Sequence, residues 1–212
     1  MDAENLRKLL DQVQRREMSI SQAAERLRHL PFEDLGFAKI DHHRALRQGF
    51  PEVILGEGKE AADIAAIVRA MRRRKVKILV TRLDPKKMAR LRRTGLHFHR
   101  LARAATWSPE PVTITGKGSI LAVCAGTSDI PVAEEAVVTA TIMGNRVERL
   151  YDVGVAGIHR LLGNRVKLDA ASVIIVVAGM EGALPTVVGG LVAKPVIAVP
   201  TRVGYGRSFQ GV

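Results

Sequence analysis

From residue 119 onward, apolar residues come in short bursts set apart by longer mixed stretches: SILAVCAG, RVERLYDVG, ASVIIVVAG and PVIAVPT. Each burst is too brief for a buried helix and has the length of a strand covered on both faces. Stretches with helical spacing lie between them, at 130–143, 156–162 and 185–193. Strands alternating with helices in this way predict a parallel sheet wound by right-handed crossovers, a three-layer flavodoxin-like α/β sandwich. The front of the chain is less regular. Residues 3–17 and 20–30 have the period of two short amphipathic helices, with Ser19 or Ser21 placed to cap the second. The stretch PFEDLGFAKIDHHRALRQGFPEVILGEGK breaks any period with Pro, Gly and aromatic residues and predicts irregular chain. A helix near 60–74, a strand VKILVTR, a basic helix near 85–93 and a strand near 97–104 complete a smaller α/β region. Two prolines and two glycines in WSPEPVTITGKGS mark the boundary, which divides the chain into 1–111 and 112–212.

Composition narrows the class without changing this picture. With 47% hydrophobic and 25% charged residues, the chain is that of a soluble globular protein. The start, MDAENLRKLL, lacks the apolar core of a leader, and no run reaches the roughly 18 apolar residues of a membrane span, so a cytoplasmic protein without membrane contact is expected. Cys124 is the only cysteine, which rules out an intramolecular disulfide and a cysteine metal cluster. Inside an apolar burst it reads as a small buried hydrophobe.

Charge adds one question. The net charge is +12, and residues 69–103 hold 14 Lys and Arg against the single acid Asp84, so one segment makes the whole chain basic. It carries no aromatic ladder, zinc spacing or basic zipper, and a solvated or subunit-contacting face is the plainer reading beside a phosphate-binding surface. Nucleic acid is not the expected partner. A nucleic-acid-binding module built on 69–103, recognisable by steep salt dependence, stands as an alternative.

In an open parallel sheet, ligands bind beyond the carboxyl ends of the strands. The four segments there are AGTSD at 125–129, DVGVAGIHR at 152–160, AGMEGALP at 178–185 and PTRVGYGRS at 200–208. All contain glycine, which lets backbone approach a ligand closely, and amides at a helix start suit anionic oxygens. Candidate substrate-binding residues are therefore Gly126, Thr127 and Ser128 in the first, Asp152, His159 and Arg160 in the second, Gly179, Met180 and Gly182 in the third, and Gly204, Tyr205 and Gly206 in the last. Neither the Walker pattern nor a dinucleotide fingerprint occurs at these ends, and GEGKEA near residue 56 is expected to follow no sheet strand.

Three stretches, CAGTSDIPVAEEA, GNRVERLYDVGVAGIHRLL and VVAGMEGALPTVVGGLVAKPVIAVPTRVGYGRSFQG, resemble the LarB family of carboxylase/hydrolases that begin nickel-pincer nucleotide cofactor synthesis. The likeness spans 116–212 and reaches the front of the chain through DHHRALRQGFPEVILGEGK and LVTRLD. More distantly, the back half is similar to the PurE class of phosphoribosylaminoimidazole (AIR) carboxylases and mutases, with a GTSD-like loop, an HR pair and an LP turn. The resemblance implies a PurE-like α/β domain and a reaction on nicotinic acid adenine dinucleotide. CO₂ or bicarbonate would be added at pyridinium C5, and the phosphoanhydride cleaved to release AMP and pyridinium-3,5-biscarboxylate mononucleotide. It also implies Mg²⁺ for the hydrolytic half and a homo-oligomer, with an octamer as the PurE-like precedent. The chemistry is coherent, because a pyridinium becomes electron-rich enough to attack CO₂ only after a nucleophile, a cysteine in that family, has added to C4. A base must then remove the proton at the carboxylated carbon so that the cysteine can leave.

PurE enzymes carry a catalytic histidine in AAHLPG where this chain has Ala183, which argues against the purine reaction; an AIR carboxylase or mutase-like enzyme remains an alternative. Glu181, two residues earlier among glycines and apolar residues, is expected to have its pKa raised and to serve as the base. Glu181 and Asp129 are the candidate catalytic carboxylates, with Asp129 and Ser128 orienting the ribose phosphate or carboxylate end of the substrate. His159 and Arg160 would meet charge on the same ligand. Asp129 and Asp152 are the candidates for touching Mg²⁺, and no protein ligand is assigned. In the family the nucleophilic cysteine belongs to a helix beyond GYGRSFQG, whereas this sequence stops at Val212 and Cys124 precedes the GTSD loop. The expectation is a chain without that helix and nucleophile, inactive in carboxylation.

Overall fold

The computed structural model describes residues 3–28, 32–179 and 182–201. The chain divides into two compact units, Met1–Phe98 with Ala105–Pro111 and His99–Ala104 with Val112–Val212.

The first unit opens with helices α1 (Ala3–Gln14) and α2 (Ile20–Arg28). Ser19 and Gln22 close a reciprocal cap at the start of α2: the Gln22 N–H donates to Ser19 Oγ at 3.1 Å and the Ser19 N–H to Gln22 Oε1 at 2.9 Å. The stretch expected to be irregular holds four short elements. They are β1 (Glu33–Asp34) and β2 (Lys39–Ile40), an antiparallel ribbon, then α3 (Arg44–Gln48) and β3 (Val53–Leu55). Next come α4 (Ala61–Arg73), β4 (Ile78–Thr81) and α5 (Pro85–Arg90). Asp84 caps α5, accepting the Lys87 N–H at 2.8 Å, with Pro85 in the first turn. The strand expected near 97–104 is two strands, β5 (His97–His99) and β6 (Ala104–Trp107). The sheet runs β3-β4-β6-β5, with β3 and β4 parallel and β4 and β6 antiparallel.

Ile64, Ile67, Val68 and Met71 form the apolar stripe of α4 and meet Ile78 and Val80 in one core. The sequence GEGKEA therefore does follow a sheet strand: it joins β3 to α4 in a β-α-β unit, contrary to expectation. At only three residues, β3 is too short to show a period, and its pairing with β4 is what defines it. Two contacts tie this unit together at α4. Buried His42 bonds Glu33 at 3.0 Å, and Arg73 reaches the same carboxylate at 3.0 Å. Burial pushes Glu33 up, but the bonds from His42 and Arg73 outweigh it and hold the acid below its ordinary range. Arg72 donates to the Thr94 carbonyl at 2.5 Å and lies 5.0 Å from the centre of the Trp107 ring.

The second unit contains β7 (Ser119–Cys124), α6 (Ile130–Ile142), β8 (Arg146–Leu150), α7 (Ile158–Leu162), α8 (Arg165–Ala170), β9 (Val173–Ala178), α9 (Ala183–Leu191) and β10 (Val196–Pro200). All four strands are parallel in the order β10-β9-β7-β8, the flavodoxin-like arrangement the apolar bursts predict. Alternate strand residues face opposite layers. Leu121, Val123, Ile174 and Val176 pack with Leu161, Leu168, Leu184 and Val188 of α7, α8 and α9. Cys124 and Val177 meet Ala133 of α6 on the other face. The pattern did not predict α8, which places Leu168 in the core while leaving Val166 82% exposed. Among the described residues no helix is long and apolar enough to cross a membrane.

Candidate functional site

In the order β10-β9-β7-β8, the chain leaves β7 towards β8 on one side and leaves β9 towards β10 on the other. The crossovers diverge between β7 and β9, and in open sheets ligands bind in the region beyond the carboxyl ends of two such strands. The ladder extends one step into it, with the Ala125 N–H donating to the Val177 carbonyl at 3.1 Å. Beyond this point the chain turns through Gly126 to Asp129.

Asp129 organises that turn. It is 6% exposed, and its Oδ2 accepts the Gly126 N–H at 3.0 Å while its Oδ1 accepts the Thr201 hydroxyl at 2.7 Å. Thr127 and Ser128, held between the two ends of the turn, face solvent. The 152–160 segment docks beside them through backbone, with the Val153 N–H on the Cys124 carbonyl at 3.1 Å and the Gly154 N–H on the Ala125 carbonyl at 2.8 Å. Gly154 is required there, because a Cβ would stand 2.9 Å from the Ala125 carbonyl oxygen. Asp152 adopts a left-handed φ of 58° and pairs with Arg160 at 2.7 Å; both are exposed, as is His159. Gly179 follows β9 half-buried, and Gly182, at φ 65°, leads into α9 with its N–H on the Gly179 carbonyl at 3.2 Å.

The structure thus brings Gly126, Thr127, Ser128, Asp129 and Asp152 to adjoining strand ends, with Arg160 joined through Asp152 and with Gly179 and Gly182 after β9. Met180, Glu181, Gly204, Tyr205 and Gly206 lie outside the described residues. Two groups were not legible in the sequence. One is Thr201, whose partner is 72 residues away in the chain. The other is a brace behind Asp152: Glu134 of α6 accepts from Arg149 Nε at 2.7 Å and from the Tyr151 hydroxyl at 2.8 Å. The bond from Arg149 holds Glu134 below its usual range, and burial together with Glu134 pushes the Tyr151 hydroxyl up. All three are fixed in their ordinary charge states and stiffen the end of β8.

Cys124 is fully buried, its Sγ 3.5 Å from the Gly126 carbonyl. Burial raises its pKa by more than the backbone bond at Asp152 lowers it, and the charges of Asp129 and Asp152 add smaller pushes upward. Attack on a ring requires the thiolate, and this setting favours the thiol. Each oxygen of Asp129, a candidate for touching Mg²⁺, accepts one bond, and the other candidate, Asp152, is paired with Arg160. Among the described residues no cluster of three His, Cys, Asp or Glu side chains could hold a metal ion.

Comparison with known proteins agrees with both units. A family model described as LarB/PurE-like N-terminal domain matches residues 32–109, and one described as AIR carboxylase matches 119–211. An uncharacterized protein of Methanocaldococcus jannaschii is 35% identical over 212 aligned residues, covering 95% of this chain and 83% of that protein. An N5-carboxyaminoimidazole ribonucleotide mutase of the same organism is 45% identical over 76 residues, which is 34% of this chain and 46% of the mutase. With a carboxylase-family domain behind a LarB-type front unit, and with similarity along nearly its whole length, the chain belongs to the LarB-like branch of the PurE superfamily.

Proposed function

We propose that this chain serves carboxylation and hydrolysis of nicotinic acid adenine dinucleotide, with the pyridinium ring held in the crevice between β7 and β9. The carrying observation is that a LarB/PurE-like N-terminal domain precedes an AIR carboxylase domain whose glycine loops meet at the switch point. Exposed Thr127 and Ser128 offer hydroxyls to phosphate or carboxylate oxygens, and the exposed Arg160 and His159 supply positive or hydrogen-bonding groups for the same end of the ligand. Glu181, between Gly179 and Gly182, takes the proton from the carboxylated carbon. Cys124 is buried, so the covalent step is not assigned to it. A self-associating protein fits the bare face of α9, where Gly189 and Gly190 are exposed and a Cβ at either would meet nothing within 4 Å.

The mutase likeness favours a second reading, a purine carboxylase or mutase. The residue at issue is Ala183, which opens α9 where the purine enzymes carry their histidine and which cannot move a proton. Calorimetry with nicotinic acid adenine dinucleotide and with carboxyaminoimidazole ribonucleotide separates the two readings. Binding of the dinucleotide, with no covalent adduct by intact mass, is expected of the 212-residue chain. The same chain extended by the family's cysteine helix should form the adduct, and Glu181→Gln in it should slow product formation about a hundredfold or more, within the range of general acid–base catalysis. An adduct on Cys124, or turnover of the purine ribonucleotide alone, overturns the proposal.

A further inference from the structure

Thr201 directly follows β10, and its N–H still pairs with the Ala178 carbonyl at 3.0 Å, so its backbone is fixed to the end of β9. Its hydroxyl donates to Asp129 Oδ1 at 2.7 Å. Because β9 lies between β10 and β7, that bond passes over the end of the strand beside which the topology reverses. Asp129 Oδ2 meanwhile folds the turn back on itself through the Gly126 N–H at 3.0 Å. A buried carboxylate bonded on both oxygens is held firmly, and losing one of two charge-assisted bonds leaves an acceptor without a partner. The exposed residues of the turn are Thr127 and Ser128.

We propose that Thr201 is a positioning residue of this site. Its hydroxyl sets Asp129, and Asp129 sets the Gly126–Asp129 turn, so that Thr127 and Ser128 meet an anionic group of the ligand already oriented. Asp129 on this view acts through the turn, with one bond from the protein on each of its oxygens. The identity of the ligand as a nicotinate dinucleotide rests on the function proposed above; the control of the turn by Thr201 does not.

The test uses the whole chain with two variants. Thr201→Val keeps the branched shape and removes the hydroxyl, and Thr201→Ser keeps the hydroxyl; Thr201→Ala replaces the Val variant should that one not fold. Hydrogen exchange is read at the Gly126–Asp129 amides, and affinity for nicotinic acid adenine dinucleotide by calorimetry. Removing a hydrogen bond to a charged group predicts about tenfold faster exchange at the Gly126 amide and about tenfold weaker binding in the Val variant. The Ser variant should restore both to within about twofold of wild type. Unchanged exchange in the Val variant overturns the proposal, as does faster exchange with unchanged affinity, or a Ser variant that behaves like Val. A wild-type chain that does not bind the dinucleotide refutes the substrate reading, and the exchange contrast between Val and Ser then decides the role of Thr201.

Discussion

Each unit places a glycine just beyond a parallel strand, and the two glycines do opposite things. Gly56, after β3, is shut in: a Cβ there would lie 2.7 Å from Leu83 Cδ2 and 2.8 Å from the Thr81 carbonyl oxygen. Lys87 Nζ closes over it, donating to the Gly56 carbonyl at 2.8 Å. Gly126, after β7, is open, since the nearest atom to a Cβ is Asp129 Oδ2 at 3.9 Å. One glycine exists so that two segments of protein can touch, and the other leaves room beside exposed hydroxyls. The same local topology thus builds a packed joint in the first unit and an open turn in the second.

The sharpest way to break that contrast is alanine at both positions. Gly56→Ala should destabilise the first unit by about 1–3 kcal/mol, because a backbone carbonyl cannot move aside as a side chain can. Lost amide protection in β3 and β4 would show it. Gly126→Ala should change stability by less than about 0.5 kcal/mol. It should nevertheless weaken dinucleotide binding several-fold, as read by calorimetry. Equal losses of stability in the two variants would erase the distinction.

A smaller effect concerns pH. Burial lowers the pKa of His42 despite its bond to Glu33 and with Arg74 adding to the fall. Its folded value then lies below its unfolded one, so the unfolded state takes up the proton first. Stability from this group is complete above about pH 6.5 and is lost as pH falls through the lowered value. Glu33 and Glu134, also depressed, add losses of the same sign at more acid pH. Protection factors of the α4 amides, taken against the intrinsic exchange rate at each pH, should therefore fall between about pH 7 and pH 5, and His42→Gln should flatten that slope. His42→Gln should leave the response of the 130–142 helix unchanged over the same window.

How far the sequence could be read follows the same division. In the second unit, strands such as ASVIIVVAG are apolar without interruption, because both faces are covered, and that alone fixed their type and order of appearance. In the first unit, β1, β2 and β3 are two or three residues long, and pairing decides them where pattern cannot. The helix α8 escaped because Leu168 is its one buried residue and Val166 points outward, so no period forms. Asp129 was legible as a polar residue after a strand-end glycine. Thr201 was not, because its meaning depends on β10 and β7 flanking β9, a fact of spatial order that spacing along the chain does not carry.

The ring beneath Arg72 is the only tryptophan in the chain, and it belongs to the first unit. Its emission consequently watches one half of the molecule. A melt followed at the indole and another followed by a signal spread over the whole backbone would separate into one curve and two if the halves let go at different temperatures, without any label having been attached.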